Sequence, residues 1–193
     1  MESREIENAL RGRIGPYVNY KGVYTSDYLP FISYSAKPVI IIANTLSSRA
    51  AISIVGHWVA FYISFYPSTY ILFFDSYGLS PHLYTQHFSH WLGRYSKYKI
   101  QEFRRQVQPD NSQKCGLYVI HFTHYTSYFG IDKYRNFFKN NFSRVKLHFN
   151  DVTVTRYYFN RIVKNNNSCS RWRKNKRSDK NAITYKECLS YKR

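Results

Sequence analysis

Acidic residues are scarce in this chain. It has 11 Asp and Glu against 29 Lys and Arg, a net charge of +18 over 193 residues. That imbalance excludes a charge-balanced surface and points to anionic partners such as DNA, RNA or acidic membranes. Cysteine is scarce too. Cys115, Cys169 and Cys188 are odd in number and too widely spaced for a CxxC pair, which excludes a disulfide framework and a zinc site of that type. No apolar run approaches the ~18 residues of a membrane helix. Runs such as Pro38-Val39-Ile40-Ile41-Ile42-Ala43 are short. The opening residues, Met1-Glu2-Ser3-Arg4-Glu5, are polar and carry no apolar signal region. No internal repeat is visible. Zinc-finger, helix-turn-helix and RNA-recognition signatures are missing as well, so binding to nucleic acid is expected to be driven by phosphate and indifferent to sequence. These absences predict a soluble protein of a reducing compartment, with no membrane partner, no metal and no small-molecule cofactor.

Aromatic and aliphatic residues are plentiful. Hydrophobic residues make up 44% of the chain, enough for a real core, and 20 Tyr and 14 Phe supply much of it. A mass of 23.1 kDa suits one domain with a tail. Residues 1–11 read as a helix with Ile6, Ala9 and Leu10 on one side, stopped by Gly12, Gly15 and Pro16. Residues 16–37 read as an irregular layer. Pro38 to Asn44 reads as a buried strand, and 46–55 as a loop. His57–Ile63 and Tyr70–Asp75 read as two strands joined by the turn residues Tyr66-Pro67-Ser68-Thr69, a hairpin. Pro81 is expected to open a helix whose apolar side is Leu83, Phe88, Trp91, Leu92 and Tyr95. Lys99 to Val107 reads as a half-exposed strand. From Cys115 a helix that is apolar nearly all round runs to about Tyr128 and stops at Gly130, the mark of a buried central helix. A further helix is expected over Asp132–Phe142, and Asp151 is expected to cap one running through Tyr158, Phe159, Ile162 and Val163. Residues 1–164 thus form the expected domain. Residues 165–193 form a basic tail, with nine basic and two acidic residues in 171–193.

Four segments carry chemistry: Gly56-His57-Trp58, Phe74-Asp75-Ser76-Tyr77-Gly78, Gln108-Pro109-Asp110-Asn111-Ser112 and Cys115-Gly116-Leu117-Tyr118. A free cysteine on its own is a small buried hydrophobe. Cys115 differs because a turn delivers it to the start of a helix, where the dipole favours a thiolate, the nucleophilic form. Gly116 leaves room beside the sulfur for a substrate backbone. His57 alone reads as a strand-end histidine, yet it is the general base that such a cysteine needs. Trp58, otherwise a core residue, is expected to hold the imidazole and limit water. Asp75 alone reads as a turn-initiating residue. Pairing the two hairpin strands brings it beside His57, where it accepts a ring N–H and fixes the tautomer. Gln108, seven residues before Cys115, is expected to aim its amide at a developing oxyanion, with the Cys115 backbone N–H as second donor.

With these motifs the chain resembles the adenovirus-type cysteine endopeptidases and their relatives in Maverick/Polinton-type transposons and related viruses. The order His57-Trp58, Asp75, Gln108, Cys115-Gly-Leu carries the resemblance, weaker similarity runs through Gly15-Pro16-Tyr17, Ile42-Ala43-Asn44-Thr45 and His121-Phe122, and the whole covers roughly residues 1–163. It implies an α+β, papain-like fold of the adenain or ubiquitin-like-protease type, a central mixed sheet flanked by helices. It also implies Cys115 as nucleophile, His57 as acid and base, Asp75 as orienter (adenoviral members often have Glu there) and Gln108 in the oxyanion hole. The implied activity is cleavage of capsid or core precursor proteins after small residues, often Gly, by a monomer in the virion and host nucleus. Duplex DNA is the implied activator, and the basic residues Arg171, Arg173, Lys174, Lys176 and Arg177 are candidates for the patch that holds it. The family's disulfide-linked peptide activator is argued against here, since no cysteine precedes Cys115. Two alternatives stay open: a deubiquitinase or deSUMOylase of the same clan, and a basic DNA-binding packaging protein with an inactive protease fold.

Overall fold

The computed structural model describes residues 1–52 and 56–164. Five strands form one sheet in the order β1 (Asn19–Tyr24), β2 (Val39–Asn44), β3 (Trp58–Ser64), β4 (Tyr70–Phe74) and β5 (Lys99–Glu102). The central strands β2, β3 and β4 are antiparallel, and both edge strands run parallel to their neighbours. This is an α+β chain with a mixed sheet. Strands β2 and β3 are buried at every position, because helices cover both faces. That double burial explains why their sequences run apolar without alternation.

On one face pack α1 (Ser3–Leu10), α3 (Cys115–Phe129), α4 (Ile131–Asn141) and α5 (Leu147–Tyr157), against Ile40, Ile42, Ala60, Leu72 and Phe74. Phe74 and Phe122 stack almost parallel, with centroids 4.6 Å apart. On the other face α2 (Gln86–Gly93) sets Phe88, Trp91 and Leu92 against Ile41, Phe61, Ile63 and Phe73. The expected first helix forms, and Ile6, Ala9 and Leu10 are its buried residues. The hairpin forms with Ala60 opposite Phe74 and Ser64 opposite Tyr70. The Cys115 helix ends at Gly130, whose φ of 79° suits glycine.

Several expectations need correction. Residues 16–37 are not wholly irregular, because β1 lies within them. Its polar sequence hides it: Lys21 is exposed, and the register shifts at Gly22, whose φ is 118°. Glu7 of α1 replaces a neighbouring strand by accepting from the Val23 N–H at 2.7 Å. Pro81 opens only a single 3₁₀ turn, Pro81–Leu83. The helix proper starts after Thr85, whose hydroxyl accepts from His87 N, and Leu83 lies 71% exposed instead of on the apolar side. The last strand stops at Glu102, five residues short of Val107. Beyond it Arg105 turns to donate to the carbonyls of Phe138 and Phe142. Val107 and Gln108 N–H then both reach the Ser76 carbonyl, at 2.8 and 3.0 Å. Asp151 does not cap α5, which begins at Leu147. It lies in the second turn and accepts from the Tyr118 hydroxyl at 2.9 Å, while Ser143 Oγ takes the N–H groups of Val145 and Lys146. The helix continues past Tyr157 as a π-helical stretch, Tyr158–Val163.

Gly15 brings the segment after α1 close against α3. Its N–H donates to Ser127 Oγ at 2.9 Å, and a Cβ there would stand 2.3 Å from the Ser127 carbonyl oxygen. Gly15→Ala is expected to cost roughly 1–3 kcal/mol through backbone displacement. Gly93→Ala, with nothing within 4 Å of the added carbon, is expected to be near neutral. Urea midpoints that coincide for the two variants would show that this approach is looser than described.

Candidate active site

The turn after β4 and the strand end before β3 lie side by side, as hairpin pairing requires. His57 Nε2 sits 2.5 Å from Asp75 Oδ1. Asp75 is fully buried, which for a carboxylate demands donors. It has four: His57, the Tyr77 N–H at 3.1 Å, the Leu79 N–H at 2.8 Å and the Tyr84 hydroxyl at 2.8 Å. The first two meet Oδ1 and the others Oδ2, so neither oxygen is left bare. The imidazole is sandwiched. Tyr77 stacks on it at 4.6 Å and Tyr84 at 5.5 Å between centroids, with interplanar angles of 29° and 22°.

With Nε2 committed to Asp75, the other ring nitrogen remains for Cys115. The thiol is partly exposed at the first position of α3 and shares a hydrogen bond with His57. Burial works against ionising either group, and their mutual contact overrides it. Burial pushes the Cys115 thiol up, but the His57 contact and backbone N–H groups of Trp58 and Gly116 bring it below the ordinary thiol range. Burial likewise disfavours imidazolium, yet the bonds to Asp75 and Cys115 raise His57 to about 9. The contact therefore favours thiolate and imidazolium over the neutral pair.

Gln108 lies buried and reaches Tyr77, the ring stacked on His57; it is delivered by the chain that leaves the sheet after Glu102. Ser76 Oγ donates to its Oε1 at 2.7 Å. Its Nε2 donates to the Ser112 carbonyl at 2.7 Å and to the Tyr77 hydroxyl at 3.2 Å. The amide orientation is thus set by three partners. No protein-family model matches the chain, and no curated protein matches it in sequence.

Two sequence-derived roles are corrected. Trp58 does not hold the imidazole. Its indole belongs to the core beneath α3 and donates from Nε1 to the Met1 carbonyl at 2.9 Å, and the stacked rings are those of Tyr77 and Tyr84. The space at Gly116 is not open to a substrate backbone, because the Met1 side chain fills it. Tyr77, Tyr84, Ser76 and Met1 escaped the sequence reading. Among 20 tyrosines only nearness to Asp75 in the chain marks these two. The basic residues Arg171, Arg173, Lys174, Lys176 and Arg177, with Cys169 and Cys188, lie outside the described residues. Among the described residues no helix is long and apolar enough to cross a membrane.

Proposed function

We propose that this chain is a cysteine endopeptidase of the adenovirus type, with a papain-like fold, that cleaves viral or transposon capsid or core precursors during particle maturation in the virion and host nucleus. The observation that carries the reading is the continuous chain of contacts Cys115–His57–Asp75, with Gln108 buried alongside. A thiol-bearing helix set against a sheet that carries the histidine and aspartate supports the fold assignment.

The chemistry follows from the contacts. The Cys115 thiolate attacks the scissile carbonyl carbon, and the carbonyl electron pair moves onto oxygen. The Cys115 N–H, free of an intrahelical partner as the first in its helix, takes that oxyanion together with Gln108 Nε2. The 3.2 Å bond from Gln108 to Tyr77 is the longer of its two and the one the oxyanion replaces. His57 passes its proton to the leaving amine as the C–N bond breaks, which leaves a thioester. Water then attacks the thioester and yields a proton to His57, and the C–S bond breaks to return the thiolate. Asp75 holds the imidazole by its Nε2 side throughout. The excess of basic residues supports duplex DNA as a non-specific activator.

Cleavage of a Gly-rich peptide library, with and without random duplex DNA, tests the reading. Wild type is expected to cut, faster with DNA, and Cys115→Ala to lose cutting altogether. Duplex affinity is expected to fall steeply as salt rises. Cutting that persists in Cys115→Ala overturns the assignment. Preference for ubiquitin-like substrates over capsid-type peptides moves it to the deconjugating enzymes. Salt-insensitive or absent DNA binding removes the activator.

A further inference from the structure

Met1 is the sole methionine in 193 residues, and it sits against Gly116, the residue after the candidate nucleophile. Its carbonyl accepts from the Trp58 indole at 2.9 Å. Its side chain lies over Gly116: a Cβ built there would meet Met1 Sδ at 2.7 Å, Cβ at 3.0 Å and Cγ at 3.2 Å. The glycine leaves a slot one side chain deep, and the thioether fills it. Trp58 and Gly116 are also the two residues whose backbone N–H groups donate to the Cys115 sulfur. Met1 thus touches both holders of the thiolate and bridges them, one from β3 and one from α3. It is only half-buried, so the sulfur is within reach of solutes.

We propose that Met1 is a positioning residue that clamps the two backbone donors of Cys115, and that oxidation of its thioether by a peroxide releases them. The step balances. The peroxide O–O bond breaks, one oxygen forms an S=O bond on Met1, the sulfur loses two electrons and water leaves. The sulfoxide is polar and bulkier, and a slot walled by Gly116 and the apolar core rejects it. A methionine sulfoxide reductase reverses the change, which makes this a modification site separate from oxidation of Cys115 itself.

This inference deepens the protease reading and rests on Cys115 being the nucleophile. Its test needs no cleavage assay, so its failure and the failure of that reading are separable. Cys115 is masked as a mixed disulfide, the protein is treated with hydrogen peroxide, and a thiol reductant then frees the cysteine without reducing a sulfoxide. The readout is the rate at which iodoacetamide alkylates Cys115 at pH 6, followed by peptide mass mapping. Treated wild type is expected to alkylate about 10-fold more slowly, as a thiolate that has lost its donors. Methionine sulfoxide reductase is expected to restore the rate. Biosynthetic replacement of methionine by norleucine, which alters only position 1 of this chain, is expected to abolish the response to peroxide. An added oxygen at Met1 with an unchanged rate overturns the clamp. Failure of Met1 to oxidise, or an equal slowing in the norleucine protein, overturns it as well.

Discussion

At pH 6, iodoacetamide is expected to alkylate Cys115 roughly 10- to 100-fold more slowly in His57→Ala than in wild type. In wild type the contact with His57 lowers the thiol and His57 is raised to about 9, so the imidazolium that favours the thiolate is kept up to about pH 9. Remove the imidazole and burial is left as the dominant influence, which pushes the thiol up. A thiol of ordinary pKa ~8.5 is only about 0.3% thiolate at pH 6. The weaker intrinsic nucleophilicity of a low-pKa thiolate offsets part of that difference. Cleavage by wild type is expected to decline above about pH 9, where the imidazolium loses its proton. Asp75→Asn is expected to move that alkaline limb downward, because the bond to Asp75 helps to raise His57. Equal alkylation rates in wild type and His57→Ala, with peptide mapping at Cys115, would falsify the ion pair.

Acid is expected to unfold the protein through two histidines remote from that chemistry. His121 lies in α3 with 1% exposure, walled by Tyr125, Tyr134, Phe137, Phe142 and Tyr157, and neither ring nitrogen meets a hydrogen-bond partner. Burial, then repulsion from His124, lowers it to about 3. His124 is lowered to about 4 by burial and by Arg161 and Arg13. An unfolded histidine titrates near ~6.5, so below that pH the unfolded chain binds protons that the folded one refuses. Stability is therefore full above about 6.5 and drains as pH falls toward the folded values. At pH 5 each histidine accounts for about 2 kcal/mol of that loss. His121→Leu removes one of the two and two unpaired buried nitrogens with it. Urea midpoints between pH 7 and pH 5 should fall less for the variant, by about 2 kcal/mol. Parallel curves for the two proteins would mean that His121 finds a proton partner in solution.

The parts legible in the sequence are those whose signal is local. Ile40–Ile42 and Trp58–Ile63 announce buried strands because helices cover both faces, and no polar residue has to intrude. The nearness of His57 and Asp75 was legible for a different reason: a short hairpin leaves little choice about which residues meet at its open end. Strand β1 was not legible, since its outer N–H is satisfied by Glu7 and its sequence can stay polar. Asp151 carried a capping signal that was real in type and wrong in place, because Tyr118 claims the carboxylate. The tyrosine clamp and Met1 depend on contacts between residues far apart in sequence, Met1 to Trp58 above all. No spacing rule reaches across that separation.

The Ser76 carbonyl receives both Val107 and Gln108. The Asp75 carboxylate that meets His57 and the Gln108 amide are thereby fastened to one short turn on the sheet. The sulfur arrives from the opposite layer, on a helix with its own attachments. On the proposed protease reading, turnover counts the molecules in which two layers are seated together, and a loosening too small to register as unfolding would silence cleavage while leaving each half of the site intact.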